Sequence, residues 1–127
     1  MKYAIGIDIG GTKISLVLGT EKGKILARRE IATGTRARTQ ACVNELIFNL
    51  RALTQEARIP FKKILGIGIG CPGAVNSKKG ILPRSPNLPG WKGLPLARIL
   101  KKETGLPVSL ANDANAAALG EYLFGQG

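Results

Sequence analysis

The spacing of apolar residues switches from a two-residue to a 3.6-residue period near residue 39 and back again by residue 64, which restricts the chain to mixed α/β architectures. Before the switch, Tyr3 to Ile9 is an apolar β-rich run, and Ile14, Leu16 and Leu18 alternate with Ser15 and Val17. These read as two strands able to pair antiparallel, and Ile25 to Thr33 reads as a more polar third strand suited to a sheet edge. Glu21-Lys22-Gly23-Lys24 supplies the turn between the second and third. From about Thr39 to Arg58, Val43, Leu46, Ile47, Leu50, Leu53 and Ala57 recur at helical spacing, and Pro60 ends the run. Ile64 to Gly70 is apolar on both faces, the pattern of a buried central strand, and it stops at Cys71-Pro72-Gly73.

Residues 74–93 carry three prolines and three glycines and read as an irregular binding loop, with Gly80-Ile81-Leu82 as a possible short strand. Pro95 suits the first turn of a helix bearing Leu96, Ile99 and Leu100, and Gly105 with Pro107 marks its end. Pro107 to Ala111 is a last strand, and Asn112 is a good N-cap for a final helix over Asp113 to Phe124. The predicted order is β-β-β-α-β-α-β-α, one folding unit with helices flanking a mixed sheet.

Three strand-end loops hold the unusual chemistry. Asp8, Gly10, Gly11, Thr12 and Lys13 combine a carboxylate, two glycines, a hydroxyl and an ammonium. That set suits a nucleotide-phosphate grip: backbone N–H groups approach the anion, Lys13 adds a point charge and Asp8 holds Mg²⁺ through water. The plain alternative is a β-hairpin with a Gly-Gly turn. The chain has only two aspartates, and the second, Asp113, also follows a strand. It reads either as an acid stabilised by a helix dipole or as the base that orients and deprotonates a hydroxyl attacking a phosphoryl group.

Charge decides little by itself. Nineteen Lys and Arg against eight Asp and Glu give +11, but aromatics are 5% of residues with no nucleic-acid motif, so a solvated basic surface is expected. Two isolated cysteines and no histidine favour a reduced, cytoplasmic setting and give no zinc-site spacing. The longest uncharged stretch, Ile64 to Ser77, is short and glycine-rich, so no signal peptide, membrane span or membrane partner is expected.

Four motifs in order resemble the ROK sugar kinases and repressors of the actin-like ATPase (ribonuclease H-like) superfamily: Asp8 to Lys13, Gly68 to Val75, Ser85 to Trp91, and Leu110 to Glu121. The resemblance implies that Asp8, Gly10, Gly11, Thr12 and Lys13 bind nucleotide phosphate and Mg²⁺, that Asp113 is the catalytic base, and that Gly73, Asn87, Asn112 and Asp113 hold the sugar. The bland counterparts are a turn at Pro72-Gly73, a core Trp91 and a capping Asn112. The family also implies a second lobe with a zinc motif and the adenosine pocket, so residues 1–127 correspond to an N-terminal lobe, without zinc and with negligible activity alone. For the whole protein the resemblance implies ATP-dependent phosphorylation of a hexose, most simply glucose, by a homo-oligomer that binds sugar and ATP and no nucleic acid. A sugar-responsive regulator and a non-catalytic sugar-binding domain are the alternatives.

Overall fold

The computed structural model describes residues 2–10, 13–32, 39–71 and 95–112. Five strands form one mixed sheet in the order β3-β2-β1-β4-β5. The strands are β1 (Tyr3–Ile9), β2 (Lys13–Thr20), β3 (Ile25–Ala32), β4 (Ile64–Cys71) and β5 (Val108–Asn112). Two helices, α1 (Thr39–Ala57) and α2 (Leu96–Thr104), stand before β4 and β5 respectively. The predicted meander is present: β1 pairs antiparallel with β2, and β2 with β3. β4 lies parallel to β1 on one side and to β5 on the other, which makes it a central strand. The proposed short strand at residues 80–82, the loop around it and the final helix over residues 113–124 lie outside the described residues.

One face of the sheet carries Ile5, Ile7, Ile14, Leu16, Leu18, Ile67 and Ile69, all fully buried. Leu46, Leu50 and Leu53 of α1 and Leu96 and Leu100 of α2 close over that face in a single core. Each such leucine contributes about 1.5–3 kcal/mol by leaving water. Arg51 of α1 pairs with Glu103 of α2 at 3.1 Å, so the two helices lie side by side on the same face. Arg29 reaches from the edge strand to α1, donating through Nε to Asn49 Oδ1 at 2.6 Å and pairing with Glu56 at 2.7 Å. Asn49 in turn donates to the Glu45 carbonyl at 2.8 Å, which satisfies an otherwise costly buried amide.

The element ends differ in detail from the sequence reading. The chain leaves α1 through Arg58, whose φ of 59° is left-handed. Arg58 N–H donates to Gln55 O and Ile59 N–H to Thr54 O, the paired bonds that close a helix C-terminus, with Ile59 buried beneath. A 3-10 turn over Phe61–Lys63, which the periodicity does not reveal, then feeds β4. Pro95 stands at the N-cap of α2 rather than inside its first turn, and Gly105 ends that helix with φ 77°. No described helix is long and apolar enough to cross a membrane.

Candidate functional site

The parallel strands β1, β4 and β5 send their carboxyl ends to one edge of the sheet. Asp8 is paired in register with Gly70, Gly70 with Ala111, and Cys71 with Asn112. With neighbouring strands about 4.8 Å apart, the backbone at Asp8 and that at Ala111 stand roughly 10 Å apart. From this edge the chain turns from β1 toward β2 but from β4 toward β5. Such a divergence opens the crevice in which α/β sheets bind ligands. The fold thus brings together Asp8, the end of β4 at Cys71, and Asn112.

Asp8 is half-buried near the end of β1, opposite Ser15 of β2 on the sheet face turned away from the helices. Burial pushes its carboxyl above the ordinary aspartate value. Among the described residues no cation or hydrogen-bond donor offsets that burial. A carboxylate desolvated without a compensating charge suits a hydrated divalent cation, so the residue present fits the Mg²⁺ expected there.

Gly10 and Lys13 form the closing pair of the β1–β2 hairpin: Gly10 N–H donates to Lys13 O at 2.9 Å. A Cβ at Gly10 would stand 3.0 Å from that same carbonyl, so a side chain there would crowd the closing pair. The hairpin alternative is therefore real, and its loop of Gly11 and Thr12 lies outside the described residues. Because the Gly10 amide is engaged by the hairpin, any amide donors for a phosphate come from beyond it.

Lys13 is held by a partner that sequence reasoning missed. Its ammonium lies 2.9 Å from Glu30 Oε2, with 62% of the lysine side chain and 52% of the glutamate exposed. Lys13, assisted by Arg28 and Ser15, holds the Glu30 carboxyl below its usual value. The ladder explains the contact. Ser15 faces Glu30 and Lys13 faces Ala32, so Lys13 and Glu30 are diagonal neighbours on one face. The pair directs the ammonium toward β3, away from the crevice beside β1 and β4. The run of charges Arg28-Arg29-Glu30 in β3 was the available signal, but the register was needed to pair it.

Asn112 is the last residue of β5, and the helix it was expected to cap lies outside the described residues. Gly73, Asn87 and Asp113 also lie outside them. No cluster of three or more metal-ligating side chains occurs among the described residues.

Comparison with known proteins adds a second line of observation. The ROK family model matches residues 4–127. The glucokinase of Thermotoga maritima is 37% identical over 123 residues, covering 97% of this chain and 37% of that protein. A putative xylose repressor of Caldicellulosiruptor sp. is 40% identical over 121 residues, covering 95% of this chain and 30% of the repressor. Among solved structures, a ROK family glucokinase from Streptomyces griseus in complex with glucose and AMPPNP superposes with a TM-score of 0.73 at 35% identity. That match covers 97% of this chain and 37% of the glucokinase. The chain spans 30–37% of the length of these relatives.

Proposed function

The chain belongs to the ROK family, and on that premise we propose that it is the N-terminal lobe of an ATP-dependent sugar kinase, with glucose as the first substrate to test. The observation that carries this reading is the meeting of Asp8, the β4 exit and Asn112 at the carboxyl ends of three parallel strands. The likeness to the glucokinases of T. maritima and S. griseus supports the choice of sugar and nucleotide.

In this reading the edge of β1 meets the nucleotide phosphates and the end of β5 meets the sugar. Asp8 would hold Mg²⁺ through water, and that ion would neutralise charge on the phosphates. Gly11, Thr12 and the ammonium of Lys13 would contact phosphate oxygens, while Gly10 keeps the hairpin closed. Gly73, Asn87 and Asn112 would bind sugar hydroxyls, each leaving a costly unpaired group when a wrong sugar enters. Asp113 would accept a hydrogen bond from the attacking hydroxyl, orient it in line with the γ-phosphorus and take its proton late in the transfer. A carboxylate of low pKa is adequate for that task, because in a loose transition state position matters more than base strength. The nucleotide's other contacts fall to the second lobe, so the 127-residue chain by itself should show negligible turnover.

The test is glucose-dependent ADP formation by the protein that carries this chain. Asp113→Asn is expected to lower turnover by about 10²–10⁴-fold. Near-wild-type turnover would remove Asp113 from the role given to it. A second reading, a sugar-responsive regulator, is favoured by the 40% identity to a xylose repressor. Sugar-dependent DNA binding in a mobility-shift assay, without ATP turnover, would establish it instead.

A further inference from the structure

The fold collects basic charge at the end of the sheet opposite the candidate site. Lys22 and Lys24 lie in the β2–β3 turn, Lys62 and Lys63 in the 3-10 turn before β4, and Lys101 and Lys102 in the last turn of α2. All six are exposed. The two turns share one end because Tyr3, which opens β1, is in register with both Thr20 and Ile64, and Glu21 N–H donates to Lys2 O at 3.0 Å; α2 ends there because it leads into the start of β5, which is parallel to β4. Four strand spacings put the two flanks of this end roughly 20 Å apart. The described cations that form ion pairs are Lys13, Arg29 and Arg51. None of the six lysines has a carboxylate partner among the described residues.

Apolar side chains choose between the polyanions that such a surface attracts. Among the described residues three large hydrophobic side chains are exposed, and two of them stand here: Ile25 at 47%, directly after Lys24, and Leu65 at 48%, two residues after Lys63. The described aromatic residues of this end, Tyr3 and Phe61, are partly buried against the core, which disfavours stacking on nucleic-acid bases. Lysine also dominates over arginine, giving hydrated point charges in place of planar forks for bases and phosphates. Several exposed lysines with aliphatic side chains between them form the pattern of a peripheral membrane contact.

We propose that this end of the sheet docks on an anionic lipid bilayer, with the six lysines over the headgroups and Ile25 and Leu65 entering the interface. This departs from the expectation of no membrane partner read from the sequence, where the lysines fall in three separate segments that only the fold unites. In this orientation the carboxyl ends of β1, β4 and β5 face away from the lipid, so docking leaves the candidate site open to solvent. The proposal is independent of the kinase reading.

Co-sedimentation of the full protein that carries this chain with vesicles tests it. The protein should pellet with phosphatidylcholine vesicles containing phosphatidylglycerol, remain free with phosphatidylcholine alone, and be released by salt. Changing Lys62, Lys63, Lys101 and Lys102 together to Gln should weaken binding by on the order of five-fold per lysine. Ile25→Ser with Leu65→Ser should weaken vesicle binding while leaving any affinity for duplex DNA unchanged. These exposed changes spare the core, circular dichroism checks the fold, and the salt titration needs no variant. Equal binding to neutral and anionic vesicles, or undiminished binding by the four-lysine variant, would overturn the proposal. So would vesicle binding indifferent to Ile25 and Leu65, which would mark a general polyanion surface.

Discussion

Asp8 and Lys13 show opposite electrostatic situations within five residues. Asp8 is desolvated without a described partner, so its ionised form opposes folding. A carboxyl whose folded pKa is raised weakens the fold increasingly as pH rises above its ordinary value of 3.8, and protonation removes the penalty as pH falls below it. Asp8→Asn is therefore expected to raise the melting temperature of the chain at pH 7, with the gain vanishing in acid. A lower melting temperature at pH 7 would show that the carboxylate has a stabilising contact. Glu30 has the reverse sign. Its depressed pKa means that the pair with Lys13 persists at its ordinary value of 4.5 and is lost as pH falls further. The same pair competes with any anion for the ammonium. Glu30→Gln in the full protein should lower the KM for ATP by less than about five-fold, more at low salt, because both partners are exposed. A raised KM would instead make Glu30 a residue that positions Lys13 for the nucleotide. Of this, the composition of the Asp8 to Lys13 loop was legible in the sequence. The Lys13–Glu30 contact was not, because a diagonal pair depends on a register that no local pattern states.

At the scale of elements, apolar patterning located each described strand and α-helix to within a residue or two, because α1 buries one face and β4 both. Thr39–Ala57 was expected from Thr39 to Arg58, and Val108–Asn112 from Pro107 to Ala111. The helix exits were less legible. Gly105 announces a left-handed residue, whereas Arg58 adopts one with nothing in its chemistry to signal it. That contrast is testable. Arg58→Gly removes the crowding between a Cβ and the backbone and should stabilise the chain by up to about 1 kcal/mol, while Gly105→Ala should destabilise it by about the same amount. Denaturant melts of the two variants check both signs. Equal effects would mean that the two termini do not differ in backbone strain. The 3-10 turn over Phe61–Lys63 escaped the sequence reading because three residues are too few to display a period.

Across the whole molecule, the sheet separates two ends of different character. Parallel β1, β4 and β5 present Asp8, the β4 exit and Asn112 at one end, and exposed lysines with Ile25 and Leu65 gather at the other. The first grouping was legible, since strand-end motifs and an α/β order predict where ligands collect. The second was not, because net charge says how much and not where. In the proposed kinase the first end divides its labour: β1 would serve the phosphates and the β5 exit the sugar. The most direct measurement pairs glucose calorimetry with glucose-dependent ATP turnover on the full protein, for Asp8→Asn and Asp113→Asn. Asp8→Asn is expected to bind glucose as the wild type does but turn over poorly, whereas Asp113→Asn should lose both turnover and glucose affinity. Wild-type turnover in Asp8→Asn, or unchanged glucose affinity and turnover in Asp113→Asn, would contradict this division of labour.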